Sequence, residues 1–237
     1  MGWTLITGAA DRLGATISKI LAKKGHNVLI HYRSSRDLAE AVRDVCRGFD
    51  VKAEIVQGDF STEESTMEFI RSVKGQYPDI HNIVNNVGNI IHKSALETTT
   101  EEWMNLFQVN LHTPFLIIKE CIESVKEKKG HIINIGVSGL GKCSGSYQNT
   151  AYSLTKHSLW ILTRSLAKEL AGDQVPVNMV SPGQLEISVD LPEDTTTLPM
   201  KRAGTTEEVA RVIAFLLQNE SEYITGQNID VAGGYGL

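Results

Sequence analysis

The sequence predicts an α/β fold: a doubly wound, mostly parallel sheet with helices on both faces. Three observations predict it. Short apolar runs alternate with amphipathic stretches of 3.6-residue period along all 237 residues. Capping signals stand before several of those amphipathic stretches. Hydrophobic residues make up 41% and charged residues 22%, so the chain can fill a core covered on both faces. No linker, low-complexity run or charge block interrupts it, and a single domain over 1–237 is expected.

The elements follow in order. Trp3–Thr7 reads as the first strand, and Ala15–Lys24 as a helix with Ile17, Ile20 and Leu21 inward and Gly25 as its stop. Val28–His31 is the second strand, and Leu38, Ala41, Val42 and Val45 give the next helix its period. Ala53–Gln57 is the third strand. Ser61-Thr62-Glu63-Glu64 reads as a capping box before a helix that turns Met67, Ile70 and Val73 inward. Ile80–Val84 is the fourth strand. A second box, Thr99-Thr100-Glu101-Glu102, opens a long helix to about Glu127, with a bend expected near Pro114. His131–Gly136 is the fifth strand and Tyr152–Leu170 another long helix. Val177–Val180 is the sixth strand. Thr205-Thr206-Glu207-Glu208 caps a helix that ends near Gln218, and Gln227–Val231 is the seventh strand. Gln184–Met200, with its prolines, threonines and aspartates, is too long for an ordinary connection and is expected to be a mobile substrate lid.

Twenty-three Lys+Arg against 28 Asp+Glu give a net charge of −5, which argues against nucleic acid or an anionic membrane as partner. Cys46, Cys121 and Cys143 lie far apart and predict free thiols in a reducing compartment. His26, His81, His92, His112, His131 and His157 show no ligand spacing, so no metal is expected. Trp3-Thr4-Leu5-Ile6 is too short for a signal sequence, and Val212–Leu217 is too short for a membrane helix. The expectation is a soluble, cytoplasmic protein.

Several short motifs carry chemistry. Thr7-Gly8-Ala9-Ala10-Asp11-Arg12-Leu13-Gly14 joins the first strand to the first helix. Small residues there let the backbone approach a pyrophosphate at a helix N-terminus. The second strand ends in His31-Tyr32-Arg33-Ser34-Ser35-Arg36, with no carboxylate to bind a ribose 2′-hydroxyl. Arg33 and Ser34 suit a 2′-phosphate instead. Asp59, followed by Phe60, stands where a carboxylate reaches an adenine amino group. Asn85-Asn86-Val87-Gly88 follows the fourth strand with amides that can line a cofactor and brace the sheet. Tyr152 and Lys156 share a helix face, and an ammonium beside a phenol lowers the phenol's pKa for proton transfer.

Thr7–Gly14, Asp59, Asn85–Gly88, Asn110, Tyr152–Lys156 and Pro182-Gly183 occur in one order. They are followed by Ile224-Thr225-Gly226-Gln227 and Val231-Ala232-Gly233-Gly234. In this the chain resembles the classical short-chain dehydrogenase/reductase family over essentially its whole length. The resemblance implies a Rossmann-type, seven-stranded sheet in the order 3-2-1-4-5-6-7 and a nicotinamide cofactor. Tyr152 would be the proton donor, Lys156 would hold the nicotinamide ribose and tune Tyr152, and Asn110 would hold a water linking Lys156 to solvent. Pro182 and Gly183 would lie against the nicotinamide. Gly8, Arg12, Leu13, Gly14, Tyr32, Arg33, Ser34, Asp59, Phe60, Asn86, Val87 and Gly88 would complete the cofactor site. A homotetramer or homodimer is implied, with Trp103, Phe107 and Trp160 as outward apolar candidates.

Two departures from the family pattern matter. Arg12 replaces the usual middle glycine, and T-G-x-x-x-R-x-G is similar to the loop of pteridine reductases, which prefer NADPH. The family's catalytic serine has no clear match in Asn134-Ile135-Gly136-Val137-Ser138-Gly139. Counting from the strand puts Val137 in the slot, counting back from Tyr152 puts Gly139 there, and Ser138 is off by one in both. A bulge within Gly139–Gly145 would bring Ser138 into place. Ile90 and Ile91 stand where pteridine reductases carry an aromatic that stacks on the pterin. The leading expectation is NADPH-dependent reduction of a small carbonyl or C=N substrate, either 3-oxoacyl-acyl-carrier-protein-like or pteridine-like. The alternative is an NADP(H)-binding sensor or scaffold without turnover.

Overall fold

The computed structural model describes residues 2–142, 145 and 147–236. Seven strands form one sheet: β1 (Trp3–Ile6), β2 (Asn27–Tyr32), β3 (Ala53–Gln57), β4 (Ile80–Asn85), β5 (Ile132–Ile135), β6 (Val177–Pro182) and β7 (Asn228–Val231). Their order is 3-2-1-4-5-6-7, and every pairing is parallel. The chain builds outward from β1 to β3, then crosses back to lay β4 on the other side of β1. That reversal opens a crevice beyond the carboxyl ends of β1 and β4, where open parallel sheets bind ligands.

Side chains alternate across each strand, so the sheet feeds two cores. Leu5, Leu29, Ile83, Ile132 and Val177 point to one face. There they meet α3 (Glu63–Gln76), α5 (Thr113–Glu127) and the end of α6 (Thr150–Glu169) through Phe69, Ile70, Ile117, Val125 and Ala167. Ile6, Val28, Ile30, Ile133 and Val180 point to the other. They are covered by α1 (Arg12–Lys23), α2 (Arg36–Arg47) and α7 (Thr206–Leu216) through Ile17, Leu21, Val42, Val209 and Ile213. Cys46 and Cys121 are buried free thiols pushed up to about 11 by burial; Cys143 lies outside the described residues. No helix among the described residues is long and apolar enough to cross a membrane.

Three local expectations need correction. On α2 the buried stripe is Ala39, Val42 and Cys46, while Leu38 and Val45 are exposed. Small side chains at Ala39 and Cys46 let the helix sit close on the sheet, and the larger ones are left at its flanks. The N-cap of α3 is Thr62, not Ser61; its hydroxyl accepts from the Ser65 amide, so no glutamate closes a reciprocal box. The boxes at Thr99–Glu102 and Thr205–Glu208 do form. The third correction concerns the long helix, which is three pieces: α4 (Thr100–Phe107), a π-helical turn over Gln108–His112, and α5. Pro114 has no N–H to return to the carbonyl of Asn110, so the helix widens there before it resumes.

The carboxyl end of β2 is pinned by a residue that no sequence motif marked. His31 is buried and stacks on Phe60 at 4.3 Å between ring centroids. Its Nδ1 accepts from the Gly8 amide at 2.9 Å, so its Nε2–H donates to the Gly58 carbonyl at 3.1 Å. One neutral ring thereby ties the loops after β1, β2 and β3 together. Burial pulls its pKa from 6.5 down to about 4. Between those values the unfolded chain binds more protons than the fold, so stability falls as pH drops through that window. His31 accounts for about 2 kcal/mol of the loss between pH 7 and pH 5. Denaturant titrations at the two pH values should show the pH-dependent loss shrink by about that amount in His31→Gln. An identical loss in both proteins would remove His31 from this role.

Candidate active site

The loop after β1 fits around a second loop rather than simply turning. Thr7 Oγ accepts from the amides of Asn86 and Val87 at 2.9 and 3.0 Å. The Asn86 side-chain amide donates back to the carbonyls of Thr7 and Gly8 at 2.9 and 3.0 Å. Gly8 takes φ +61, and a Cβ on Gly14 would lie 2.1 Å from the Gly8 oxygen. Only glycine lets α1 start this close to the strand. Asp11 caps α1 through the Arg12 amide. Arg12 itself has φ +52, a left-handed conformation that suits the glycine usual at this place. Its guanidinium donates to the Ile187 carbonyl. Arg12, Leu13 and Gly14 thus present the first turn of α1 to a cleft of about 720 Å³.

A recess of about 150 Å³ adjoins the cleft and shares Gly8 and Val87 with it. Arg33, Asp59 and Ser61 border it. Arg36 is held by Glu40 at 3.0 Å, whereas Arg33 makes no ion pair among the described residues. Asp59 is oriented by the Ser61 amide at 3.0 Å. Tyr32 and Phe60 face the core with 6% and 3% of their surface exposed, and Phe60 also borders the recess. Ser34 is exposed on the following turn.

On the far side of the cleft, α6 brings Tyr152 to the surface and Lys156 beneath it. Lys156 Nζ donates to the Ile135 carbonyl at 2.8 Å and lies 5.8 Å from the centre of the Tyr152 ring. Burial lowers the Lys156 ammonium to about 8. Contrary to the tuning expected from Lys156, Tyr152 is pushed up to about 12, first by burial and then by the Asp190 carboxylate. Desolvation of the phenolate outweighs a lysine whose head is turned to a carbonyl.

Asn110 is fully buried, and both ends of its side-chain amide are hydrogen-bonded. Nδ2 donates to the Asn89 carbonyl and to Thr155 Oγ at 2.9 and 3.0 Å, and Oδ1 accepts from the Asn89 amide at 2.8 Å. These contacts hold the Asn110 side chain against the Asn89 backbone and Thr155. Gly88 packs over the pair, its missing Cβ position 3.4 Å from Lys156 Nζ and 3.5 Å from Asn110 Oδ1.

Ser138 lines the cleft with Tyr152. Its amide donates to the Pro182 carbonyl at 3.0 Å, while its Oγ is buried with no partner among the described residues. Gly139 turns the chain with φ +86; the bulge expected within Gly139–Gly145 lies partly outside the described residues. Pro182 and Gly183 form the floor, with Gly183 packed against Ala232. The glycine-lined loop, the free Arg33 beside Asp59, and Tyr152, Lys156 and Ser138 across the cleft fit a nicotinamide dinucleotide. Two contributors were not marked by sequence: His31 as the pin, and Tyr235, which lines the cleft; Asn86, expected to line a cofactor and brace the sheet, makes the bracing contacts. Only the position of His31 at a strand end beside a candidate nucleotide loop hinted at its role.

A family model described as enoyl-(acyl carrier protein) reductase matches residues 8–236. The chain is 31% identical to a 3-oxoacyl-[acyl-carrier-protein] reductase of Staphylococcus epidermidis, over 97% of each chain. Its fold matches the acetoin dehydrogenase YohF of Salmonella typhimurium with a TM-score of 0.89 at 26% identity, covering 99% of this chain and 95% of that one. A blue fluorescent protein from a metagenomic library, solved in complex with NADPH, matches with a TM-score of 0.91 at 25% identity, over 100% and 98% of the chains. With its strand order and cleft, the chain belongs to the classical short-chain dehydrogenase/reductase family of oxidoreductases.

Proposed function

We propose that the protein is an NADPH-dependent reductase of a small carbonyl or C=N compound. The observation that carries this reading is the pairing of Tyr152 with the unpartnered hydroxyl of Ser138 in one cleft, opposite a glycine-lined nucleotide loop. The NADPH complex of one structural neighbour and the ketone chemistry named for another support it. The cofactor supplies the hydride. Tyr152, protonated at neutral pH because its pKa is near 12, gives its proton to the substrate oxygen or nitrogen as charge develops there. Ser138 Oγ donates a hydrogen bond to the same atom. Lys156 and Asn110 hold the nicotinamide side of the site, Lys156 toward the ribose and Asn110 by bracing Thr155 beside it. Pro182 and Gly183 form its floor. Gly8, Arg12, Leu13, Gly14, Asn86, Val87 and Gly88 shape the dinucleotide path. Arg33, Ser34 and Asp59 take the adenosine end, with Tyr32 and Phe60.

The T-G-x-x-x-R-x-G loop is pteridine-reductase-like, yet Ile90 lines the cleft where a stacking aromatic would serve a flat pterin. An aliphatic carbonyl substrate fits that wall better. Residues 184–200 act as the lid: Leu185 and Leu198 anchor the segment in the core, and Leu185, Ile187, Ser188 and Asp190 overhang the cleft. Trp103, Phe107 and Trp160, the expected outward residues, are half-buried; exposed Met104 on α4 and Leu154 and Ile161 on α6 supply an apolar surface for a homotetramer or homodimer.

Arg33 sets the cofactor preference. A charge-assisted contact to a 2′-phosphate is worth roughly 1.5–3 kcal/mol, so NADPH should bind about 10- to 150-fold tighter than NADH. Fluorescence titrations at one ionic strength should show Arg33→Ala erase most of that gap, and equal wild-type affinities would defeat the assignment. For the chemical step, Tyr152→Phe should lower kcat by roughly 10²–10⁴-fold with NADPH binding retained. Ser138→Ala should lower kcat by about a hundredfold. Less than a threefold loss in Ser138→Ala would take Ser138 out of the mechanism. NADPH binding without oxidation across ketones, quinones and pterins would favour a sensor over an enzyme. Sedimentation at micromolar concentration should return a multimer; a monomer's mass would refute the shared helix surface.

A further inference from the structure

A hydroxyl that donates to a reacting atom has to be aimed, and Ser138 Oγ has no partner among the described residues to aim it. Its direction is therefore set by the backbone that carries it. That backbone prolongs the pairing of β5 with β6 past the end of β5. The Gly136 amide donates to the Val180 carbonyl at 2.9 Å, and the Ser138 amide donates to the Pro182 carbonyl at 3.0 Å. At the next residue the chain leaves the sheet: Gly139 takes φ +86. Its amide donates instead to Asp230 Oδ2 on β7, 91 positions along the chain, at 3.4 Å.

Asp230 is itself held. Asn228 Nδ2 donates to Asp230 Oδ1 at 2.9 Å, and Ser181 Oγ donates to Asn228 Oδ1 at 2.6 Å. A carboxylate only accepts, so Asn228 must turn its NH2 toward Asp230 and its oxygen toward Ser181. Ser181 is fully buried, so the relay starts inside the sheet and ends at the exposed turn. A bond of 3.4 Å to an exposed carboxylate is weak by itself. Its place gives it consequence. The peptides on the two sides of the Ser138 Cα are each held through one N–H, the first by Pro182 and the second by Asp230, and together they fix the direction of the Cα–Cβ bond. The C-terminal tail backs the same turn: a Cβ on Gly139 would lie 3.4 Å from the Gly236 oxygen.

We propose that Asp230 is a positioning residue for the reaction: by holding the Gly139 amide it directs the Ser138 hydroxyl toward the substrate atom that Tyr152 protonates. Asp230 does not itself line the cleft. The inference rests on the reductase reading and adds to it the support of a serine that stands one residue out of the family's register.

The test measures kcat and NADPH affinity in four proteins: wild type, Ser138→Ala, Asp230→Ala and the double variant, with the best substrate from a panel of ketones. Asp230→Ala should lower kcat about tenfold and leave NADPH affinity within about twofold. In the Ser138→Ala background the same substitution should cost less than about twofold, because no hydroxyl is left to aim. A general structural role would give the same loss in both backgrounds; that result, or no loss in the wild-type background, would overturn the proposal. Asp230→Asn should keep most of the rate. Its amide oxygen can accept from Gly139 while Asn228 flips, since the Ser181 hydroxyl accepts as well as donates. A loss in Asp230→Asn equal to that in Asp230→Ala would assign the effect to charge and also overturn the proposal. If wild type reduces no ketone, the reductase reading falls, and amide hydrogen exchange separates that failure from this one. Exchange at Ser138 and Gly139 should be about tenfold faster in Asp230→Ala and near wild type in Asp230→Asn, with exchange in α1 unchanged. Unchanged exchange at the turn would show that Asp230 does not hold it.

Discussion

The structure depends on one constraint, the satisfaction of backbone polar groups where β1 and β4 part. Up to Ile6 and Val84 the two strands share a ladder; beyond it their N–H and C=O groups lose each other. Thr7 and Asn86 take over that role. One hydroxyl receives two amides of the β4 loop, and one side-chain amide serves two carbonyls of the β1 loop. The crevice stays open while these backbone groups of the two loops are paired. Its geometry then sets the demands on its neighbours: no Cβ at Gly14 and an acceptor for the Gly8 amide at His31.

A second buried polar column stands on the other side of the cleft. Asn110 ties the Asn89 backbone to Thr155, and Thr155 precedes the lysine whose ammonium reaches the Ile135 carbonyl. The π turn at Gln108–His112 is what lets Asn110 enter this column from the middle of a helix. An uninterrupted α-helix would carry it past on a different angular phase. Rigidity here has an electrostatic cost. Desolvation lowers Lys156 and raises Tyr152, so the free site holds its acid protonated and its cation weakened. The same desolvation makes any charge arriving in the site interact strongly with these groups.

Much of the architecture is legible in the sequence because it rests on periodicity. Buried parallel strands read as short apolar runs, and the boxes at Thr99 and Thr205 announce α4 and α7. What periodicity alone cannot resolve is angular phase and partner choice. Leu38 and Val45 are more apolar than Ala39 and Cys46, yet the smaller pair is buried, because close approach of α2 to the sheet depends on volume as well as hydrophobicity. Tyr152, Lys156 and the glycine loop are legible because spacing on a helix or at a turn carries their geometry. His31 and Asn86 act through contacts with residues 23 and 78 or more positions away. No local pattern encodes such pairs. The i to i+4 spacing likewise places Lys156 near Tyr152 but does not set the direction its ammonium takes.

Arg12 shows how one local conflict is absorbed by the wider structure. A side chain held at φ +52 costs about 1–2 kcal/mol relative to the glycine that suits the place. A free surface arginine would return nothing for that strain. Here the left-handed turn throws the guanidinium across the mouth of the cleft to the Ile187 carbonyl, and the Asp11 carboxylate holds the Arg12 amide from behind. The nucleotide loop and the segment after β6 are thereby linked through one side chain. A glycine at this position would relieve the strain and cut the link. The segment would then keep its own anchors at Leu185 and Leu198 but lose its tie to α1. The arrangement of Ile187, Gln184 and Asp190 over the cleft is accordingly coupled to the conformation of the loop beneath it: whatever shifts Arg12 shifts the balance of contacts on both lips.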